Sequence, residues 1–247
     1  MMLTGKNAIV YGAAGPIGTA VAKAFAADGA TVHLAGRTPA KLDRLAAEIR
    51  DAGGTAETAV VDALDEASVD QHAEAVGAID ISFNLIGHQQ TFGTPLIDMN
   101  LADFELPVST MVRSFYLTSR AAARLMIKQG SGVILTFGGY GDPAANLGGF
   151  QIGFGAVEAL RRTFALELGQ HGIRVLTLQT GGIPEAVPAD FPEQAAEAIA
   201  KDTARRTMLN RAATLSDVGA VAVFAASDQA RALTGTALNL SVGAVVN

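Results

Sequence analysis

Short β-type runs alternate with long helical patterns along 247 residues, and a glycine-rich turn closes the first run and opens the first helix. Apolar residues are spread evenly from Ala8 to Val246. Together these predict an α/β fold: one doubly wound Rossmann-type domain over 1–247, with a seven-stranded parallel sheet and helices on both faces.

The elements follow in order. Ala8–Tyr11 is the first strand. The helix Pro16–Asp28 carries Ile17, Ala20, Val21, Ala24 and Phe25 on one stripe and ends at Gly29, a C-terminal cap. Strand Thr31–Leu34 leads to helix Pro39–Asp51, striped by Leu42, Leu45, Ala46 and Ile49 and stopped at Gly53-Gly54. Strand Ala59–Val61 completes a βαβαβ unit. Further strands are predicted at Ile79–Asn84, Val133–Phe137, Val175–Leu178 and Ala237–Ser241. Helices are predicted at Leu101–Lys128, Gln151–Gln170, Pro192–Arg206 and Leu215–Ser227, the last opened by the capping-box-like Thr214-Leu215-Ser216-Asp217. The stretch Gly181–Pro192 reads as a loop over a site, within a substrate-loop region at about 181–210.

Composition removes several chemistries. With no Cys there is no thiol nucleophile, disulfide or Cys-ligated metal centre. Twenty-four acidic against 18 basic residues, net charge -6, leave no basic footprint for nucleic acid or an anionic membrane surface. The start of the chain lacks the apolar stretch of a secretory signal, and no apolar run is long enough to span a bilayer, so a cytoplasmic protein with a small soluble ligand is expected. The four histidines, His33, His72, His88 and His171, show no metal-ligand spacing, and no metal is assigned.

The turn Tyr11-Gly12-Ala13-Ala14-Gly15-Pro16-Ile17-Gly18 stands where glycines let backbone N–H groups and a helix N-terminus approach a pyrophosphate. At the end of the second strand, an NAD site wants a carboxylate for the ribose 2′-hydroxyl. The chain instead reads Ala35-Gly36-Arg37, and a guanidinium suits a 2′-phosphate, so the expected cofactor is NADP(H).

That first turn, with Val61-Asp62-Ala63, Asn84-Leu85-Ile86-Gly87, Gly132-Val133-Ile134-Leu135 and Ile173-Arg174-Val175, resembles the short-chain dehydrogenase/reductase family over essentially the whole chain. The resemblance implies pyrophosphate binding by Gly12, Gly15, Ile17 and Gly18 and adenine binding by Asp62 and Ala63. It places Asn84 and Gly87 beside the ribose, and Ile183 of Thr180-Gly181-Gly182-Ile183 against the nicotinamide amide. Pro16 replaces the middle glycine of the family's loop; it suits a first helical position, so the loop is expected to survive. The family's dimer-forming helices correspond to 101–128 and 151–170, which implies a homodimer or homotetramer.

The same resemblance puts the family's catalytic Tyr at Phe150, its Lys at Phe154, its Ser at Gly138 or Gly139 and its Asn at Met111. None of Tyr11, Tyr116 and Tyr140 is followed four positions later by Lys. Two residues stand as candidate catalytic replacements: His88, a better-matched donor or an exposed loop histidine, and Tyr140, a phenol near a substrate oxygen or a pocket wall. Gln89, Gln90, Asp142 and Gln151 are available to bond a substrate, while His33, His72 and His171 read as structural. Phe92, Phe137, Phe150, Phe154 and Met111 read as core or as an apolar substrate wall. Two functions remain: an NADP(H)-dependent oxidoreductase for an apolar carbonyl or enone with a non-standard proton donor, or an inactive NADP(H) sensor or regulatory partner on the same scaffold.

Overall fold

Parallel strands covered on both faces need apolar side chains pointing both ways. Strand β1 (Asn7–Tyr11) meets this with Ala8, Ile9, Val10 and Tyr11, all buried. The computed structural model describes residues 1–87, 90–138, 145–187 and 191–245. Around β1 stand β2 (Thr31–Gly36), β3 (Thr55–Val60), β4 (Ile81–Asn84), β5 (Gly132–Gly138), β6 (Ile173–Gln179) and β7 (Ala237–Asn239), in the order β3-β2-β1-β4-β5-β6-β7. Each neighbouring pair is parallel. The predicted seven-stranded doubly wound sheet is the observed one.

Helices α1 (Pro16–Ala27), α2 (Pro39–Asp51) and α7 (Leu215–Ala226) cover one face, where Phe25, Leu42, Ile49 and Val218 join Val10, Leu34 and Leu178 in one apolar cluster. The stripe predicted for α1 packs inward, and Gly219 of α7 lets its backbone approach within close contact of Ala20 and Ala24. The predicted capping box opens α7: the Thr214 hydroxyl accepts from the Asp217 amide at 3.0 Å, and the Asp217 carboxylate accepts from the Thr214 amide at 2.9 Å. Thr214→Ala is therefore expected to lower stability by about 1 kcal/mol, read as a shift in urea midpoint at unchanged slope.

On the other face lie α3 (Glu66–Val76), α4 (Leu101–Gln129) and α5 (Gly149–Leu168), with α6 (Glu193–Arg205) outside the core and burying none of its residues. Helix α3 was not anticipated, because its inward stripe is only Val69 and Ala73 around a polar surface; its clearer sign is Asp65, whose side chain caps the Ser68 amide. Strand β3 starts at Thr55 rather than Ala59, since this edge strand alternates exposed Thr55, Glu57 and Thr58 with Ala56 and is not an apolar run. The fourth and seventh strands are shorter than predicted, and α5 begins two residues earlier.

A polar layer runs between α5 and β6. Glu158 and Arg161 are both buried; Arg161 Nη2 and Nε donate to Glu158 Oε2 at 2.9 and 3.1 Å, and the Thr177 hydroxyl donates to Glu158 Oε1. Helix α4 contains Pro107, buried against Gly149, where any side chain would collide with the Phe104 carbonyl. No helix of the described residues is long and apolar enough to cross a membrane.

Candidate functional site

The strand order reverses between β1 and β4: from β1 the chain runs outward to β3, then returns to the far side of β1. Such a reversal leaves a crevice beyond the carboxyl ends of the two central strands. A cleft of about 690 Å³ lies there, lined by the turn after β1, the ends of β2 and β3, and Leu85, Ile86 and Gly87 after β4.

The turn after β1 is dictated by space. Gly12 has φ +78°, and a side chain there would run into the Leu85 carbonyl; one at Gly18 would run into the Gly12 carbonyl and Ala13. Gly15, by contrast, has room for a Cβ, and φ -77° suits any residue; its small size matters only toward the cleft. Pro16 occupies the first turn of α1 behind the N-cap Gly15, as expected, and the loop closes through Gly15 N to Gly12 O at 3.1 Å and Thr19 Oγ1 to Ala13 O at 3.2 Å. Gly12, Gly15, Ile17 and Gly18 all line the cleft.

Beyond the end of β2, Arg37, Thr38 and Lys41 line the same cleft. Sequence reading named only Arg37. Among the described residues neither Arg37 nor Lys41 has an ion-pair partner. The Thr38 hydroxyl caps nothing, although Thr38 is the N-cap of α2, and the first turn of α2 holds Lys41 but no acidic residue. A cation in a first helical turn works against the helix dipole unless an anion lies beside it, and that was the sequence signal for Lys41.

Asp62 and Ala63 line the cleft from the end of β3. Asp62 Oδ1 accepts from the Leu64 amide at 2.9 Å, the Asp62 amide donates to Ser68 Oγ at 3.1 Å, and Arg113 Nε of α4 donates to the Leu64 carbonyl at 2.7 Å. This segment is thus tied to both α3 and α4. Leu106 and Thr110 of α4, and Ala186, complete the wall and carry no motif by which sequence alone finds them.

Asn84 and Ile183 stand behind the wall and not in it. The buried Asn84 amide donates to Thr118 Oγ1 at 3.0 Å and its Oδ1 accepts from the Ile86 amide at 3.2 Å, so it fixes the strand end that presents Leu85, Ile86 and Gly87. Ile183 is buried in the α1/α7-side core.

At the start of α5 the rings of Phe150 and Phe154 meet edge to face at 4.7 Å between centroids, and Phe92 meets Phe150 at 5.4 Å. Phe154 is buried, and Met111 of α4 packs on Gly153. Gly138 ends β5 with its Cα beside Thr177, where a side chain would press on the threonine methyl. His88, Tyr140, Gln89, Asp142 and Gly139 lie outside the described residues. Among the described residues no three His, Asp or Glu side chains form a group that could hold a metal.

The family described as enoyl-(acyl carrier protein) reductase matches residues 12–244. A 3alpha-hydroxysteroid dehydrogenase of Mediterraneibacter gnavus is 32% identical over 254 residues, covering 97% of each chain. The chain belongs to the short-chain dehydrogenase/reductase family. Solved members share its fold. An NAD+-bound xylitol dehydrogenase is 25% identical with TM-score 0.88, covering 98% of this chain and 100% of its own. A gluconate 5-dehydrogenase from Burkholderia cenocepacia, in complex with NADP and tartrate, is 25% identical with TM-score 0.87, covering 98% and 96%. Short-chain dehydrogenase/reductase proteins are oxidoreductases that take nicotinamide dinucleotides, and the cleft here lies at the strand-order reversal where ligands of such sheets bind.

Proposed function

We propose that this single-domain protein is an NADP(H)-dependent oxidoreductase that acts on an apolar carbonyl or enone substrate with a non-standard proton donor. The observation that carries the cofactor choice is the trio Arg37, Thr38 and Lys41: two cations without ion-pair partners among the described residues and a hydroxyl that caps nothing, together beyond the end of β2. They suit a 2′-phosphate and leave no carboxylate for a 2′-hydroxyl. Gly12, Gly15, Ile17 and Gly18 would hold the pyrophosphate, Asp62 and Ala63 the adenine, and Gly87 the ribose. Asn84 and Ile183 would support the far half from behind the wall.

When bound, the cofactor supplies or accepts a hydride. The residues of this chain would bind and orient it, keep water from the reacting carbon, and move one proton at the substrate oxygen. Reduction adds a hydride to the electrophilic carbon and a proton to the basic atom. At the positions where the family resemblance implies Tyr and Lys stand Phe150 and Phe154, which donate no proton. The proton is assigned to His88 or Tyr140, next in sequence to Gly87 and near Gly138, or to water; an ordinary imidazole near pKa 6.5 is better matched to neutral pH than a phenol near 10. The aromatic ladder Phe92–Phe150–Phe154 favours an apolar, conjugated substrate, for which loss of an acid worth about 10²–10⁴-fold slows the reaction without stopping it.

The same two phenylalanines favour a second reading, a cofactor-binding protein without turnover that serves as NADP(H) sensor or as partner of an active homologue. The deciding measurement is NADPH oxidation over a panel of ketones, quinones and enones, beside NADP(H) binding by calorimetry. Turnover lost in His88→Ala or Tyr140→Phe supports the first reading and names the donor; binding without turnover above the buffer rate supports the second. We further propose a cytoplasmic homodimer or homotetramer, the assembly resting on the correspondence of α4 and α5 with the family's dimer-forming helices.

A further inference from the structure

Outside the cleft, the strongest concentration of unused chemistry lies under α3. Five buried polar atoms there have no hydrogen-bond partner among the described residues: Tyr11 Oη, His33 Nε2, Asp70 Oδ1, His72 Nδ1 and Arg120 Nε. Buried polar atoms are almost always paired, so such a cluster needs a cause. The groups are neighbours. The Tyr11 and His72 rings meet edge to face at 6.1 Å, Asp70 Oδ2 accepts from both Arg120 and Arg124, and a cavity of about 180 Å³ opens between α3 and the β2–β3 edge with His33, Glu57 and His72 in its wall.

The groups facing the two imidazoles can be named by element. Strand β1 presents Tyr11, β2 presents His33 itself, and β3 presents Glu57, whose Oε2 lies 3.4 Å from His33 Nδ1. Helix α3 presents His72, Asp70 and Glu66, and α4 presents Arg120 and Arg124, which both pair with Asp70, Arg120 being shared with Glu66. Glu57 is largely exposed and is the one anion set against His33; Asp70 is already engaged by two arginines. Two imidazoles side by side, largely cut off from water, are held neutral. Burial pushes His72 down to about 4, and the nearness of His33 adds to it; burial also lowers His33, against the pull of Glu57.

Helix α3 is attached to the cleft through its N-terminus, by the Asp62 amide on Ser68 and the Asp65 cap. We propose that His33 and His72 form an acid-operated latch: proton uptake by the imidazoles detaches α3 from the β2–β3 edge and loosens the 62–64 segment that walls the cleft. That the loosened segment then holds nucleotide less firmly rests on the cofactor reading above.

The sign follows from linkage. A histidine whose closed-state pKa lies below its ordinary 6.5 binds more protons when α3 is open, so the closed state has its full stability above pH 6.5 and loses it as the pH falls toward 4. For His72 alone, opening at pH 5.0 gains about 30-fold over pH 7.5.

Amide hydrogen exchange of the ligand-free full chain tests this, with rates normalised to the intrinsic pH dependence. Protection across residues 66–76 is expected to fall about 30-fold between pH 7.5 and pH 5.0, while α7, on the opposite face, changes by less than about threefold. In His72→Gln the step in α3 shrinks, and in His33→Gln/His72→Gln it flattens. If a glutamine there weakens the fold, His72→Phe, which buries no polar nitrogen, gives the same readout. Unchanged α3 protection in the wild type, an equal loss in α7, or a step kept in the double variant overturns the latch. NADPH added at pH 7.5 is expected to raise protection at 62–76. Failure of that arm alone, with the pH step intact, counts against the cofactor reading and leaves the latch standing.

Discussion

Arg37→Ala is expected to weaken NADPH binding about 10- to 100-fold while NADH binding changes less than about threefold, because one or two charge-assisted hydrogen bonds to a phosphate are worth about 1.5–3 kcal/mol and NADH has no group to lose them. Lys41→Ala is expected to cost less, as a point charge on a flexible stem in place of a planar fork. Calorimetry with both nucleotides on both variants is the check. Equal affinities before and after Arg37→Ala would remove the 2′-phosphate assignment, whatever the turnover experiments report.

Glu158→Ala is expected to be strongly destabilising although it lies outside the cleft. It leaves the Arg161 guanidinium buried with neither of its two bonds to Glu158 Oε2, and it removes the acceptor of the Thr177 hydroxyl. Stranding one partner of a buried pair costs about 3–5 kcal/mol. In a chain of this size that corresponds to a melting point roughly 6–20 °C lower. Replacing both partners, as in Glu158→Leu/Arg161→Leu, is expected to recover most of the loss, since the paired charges themselves suffer the cost of leaving water. Urea unfolding of Glu158→Leu, Arg161→Leu and the double variant closes the cycle, with Glu158→Ala measured beside them. If the double variant is no more stable than Glu158→Ala, the loss came from packing and the charge argument fails.

How far the chain could be read depended on whether a residue's role leaves a periodic or spatial mark. The helices α1 and α2 were legible because apolar residues recur at helical spacing and a glycine ends each; α3 was not, because two inward apolar residues in 11 make no stripe. The turn Gly12–Gly18 was legible since a strand, glycines and a helix follow at fixed spacing. Lys41 left a sign in the sequence, a cation in the first turn of a predicted helix, but that this turn and Thr38 face the same cleft as Arg37 is seen only in the fold. Leu106, Thr110 and Ala186 come from segments distant in sequence, and nothing local marks them. Asn84 and Ile183 are assigned to the ligand by resemblance alone; what the fold adds is that Asn84 anchors a strand end and Ile183 packs in the core. The buried pair of imidazoles was read as merely structural, since neither burial nor a missing partner can be seen in a spacing.

The close approach of α7 to α1 also sets an order of assembly. A chain emerging from the ribosome completes β1, α1, β2, α2 and β3 within its first 60 residues, but the face of α1 that Gly219 admits is not covered until residues 215–226 have been made. The central strand likewise waits for β4, more than 70 residues later, to pair along its second edge. Until then the N-terminal half exposes an apolar helix face and an open strand edge, both routes to association with other chains. The candidate cleft is therefore finished late, once the segment around Ala186 meets a wall begun at Gly12, and a nascent or truncated N-terminal half carries both exposed surfaces until then.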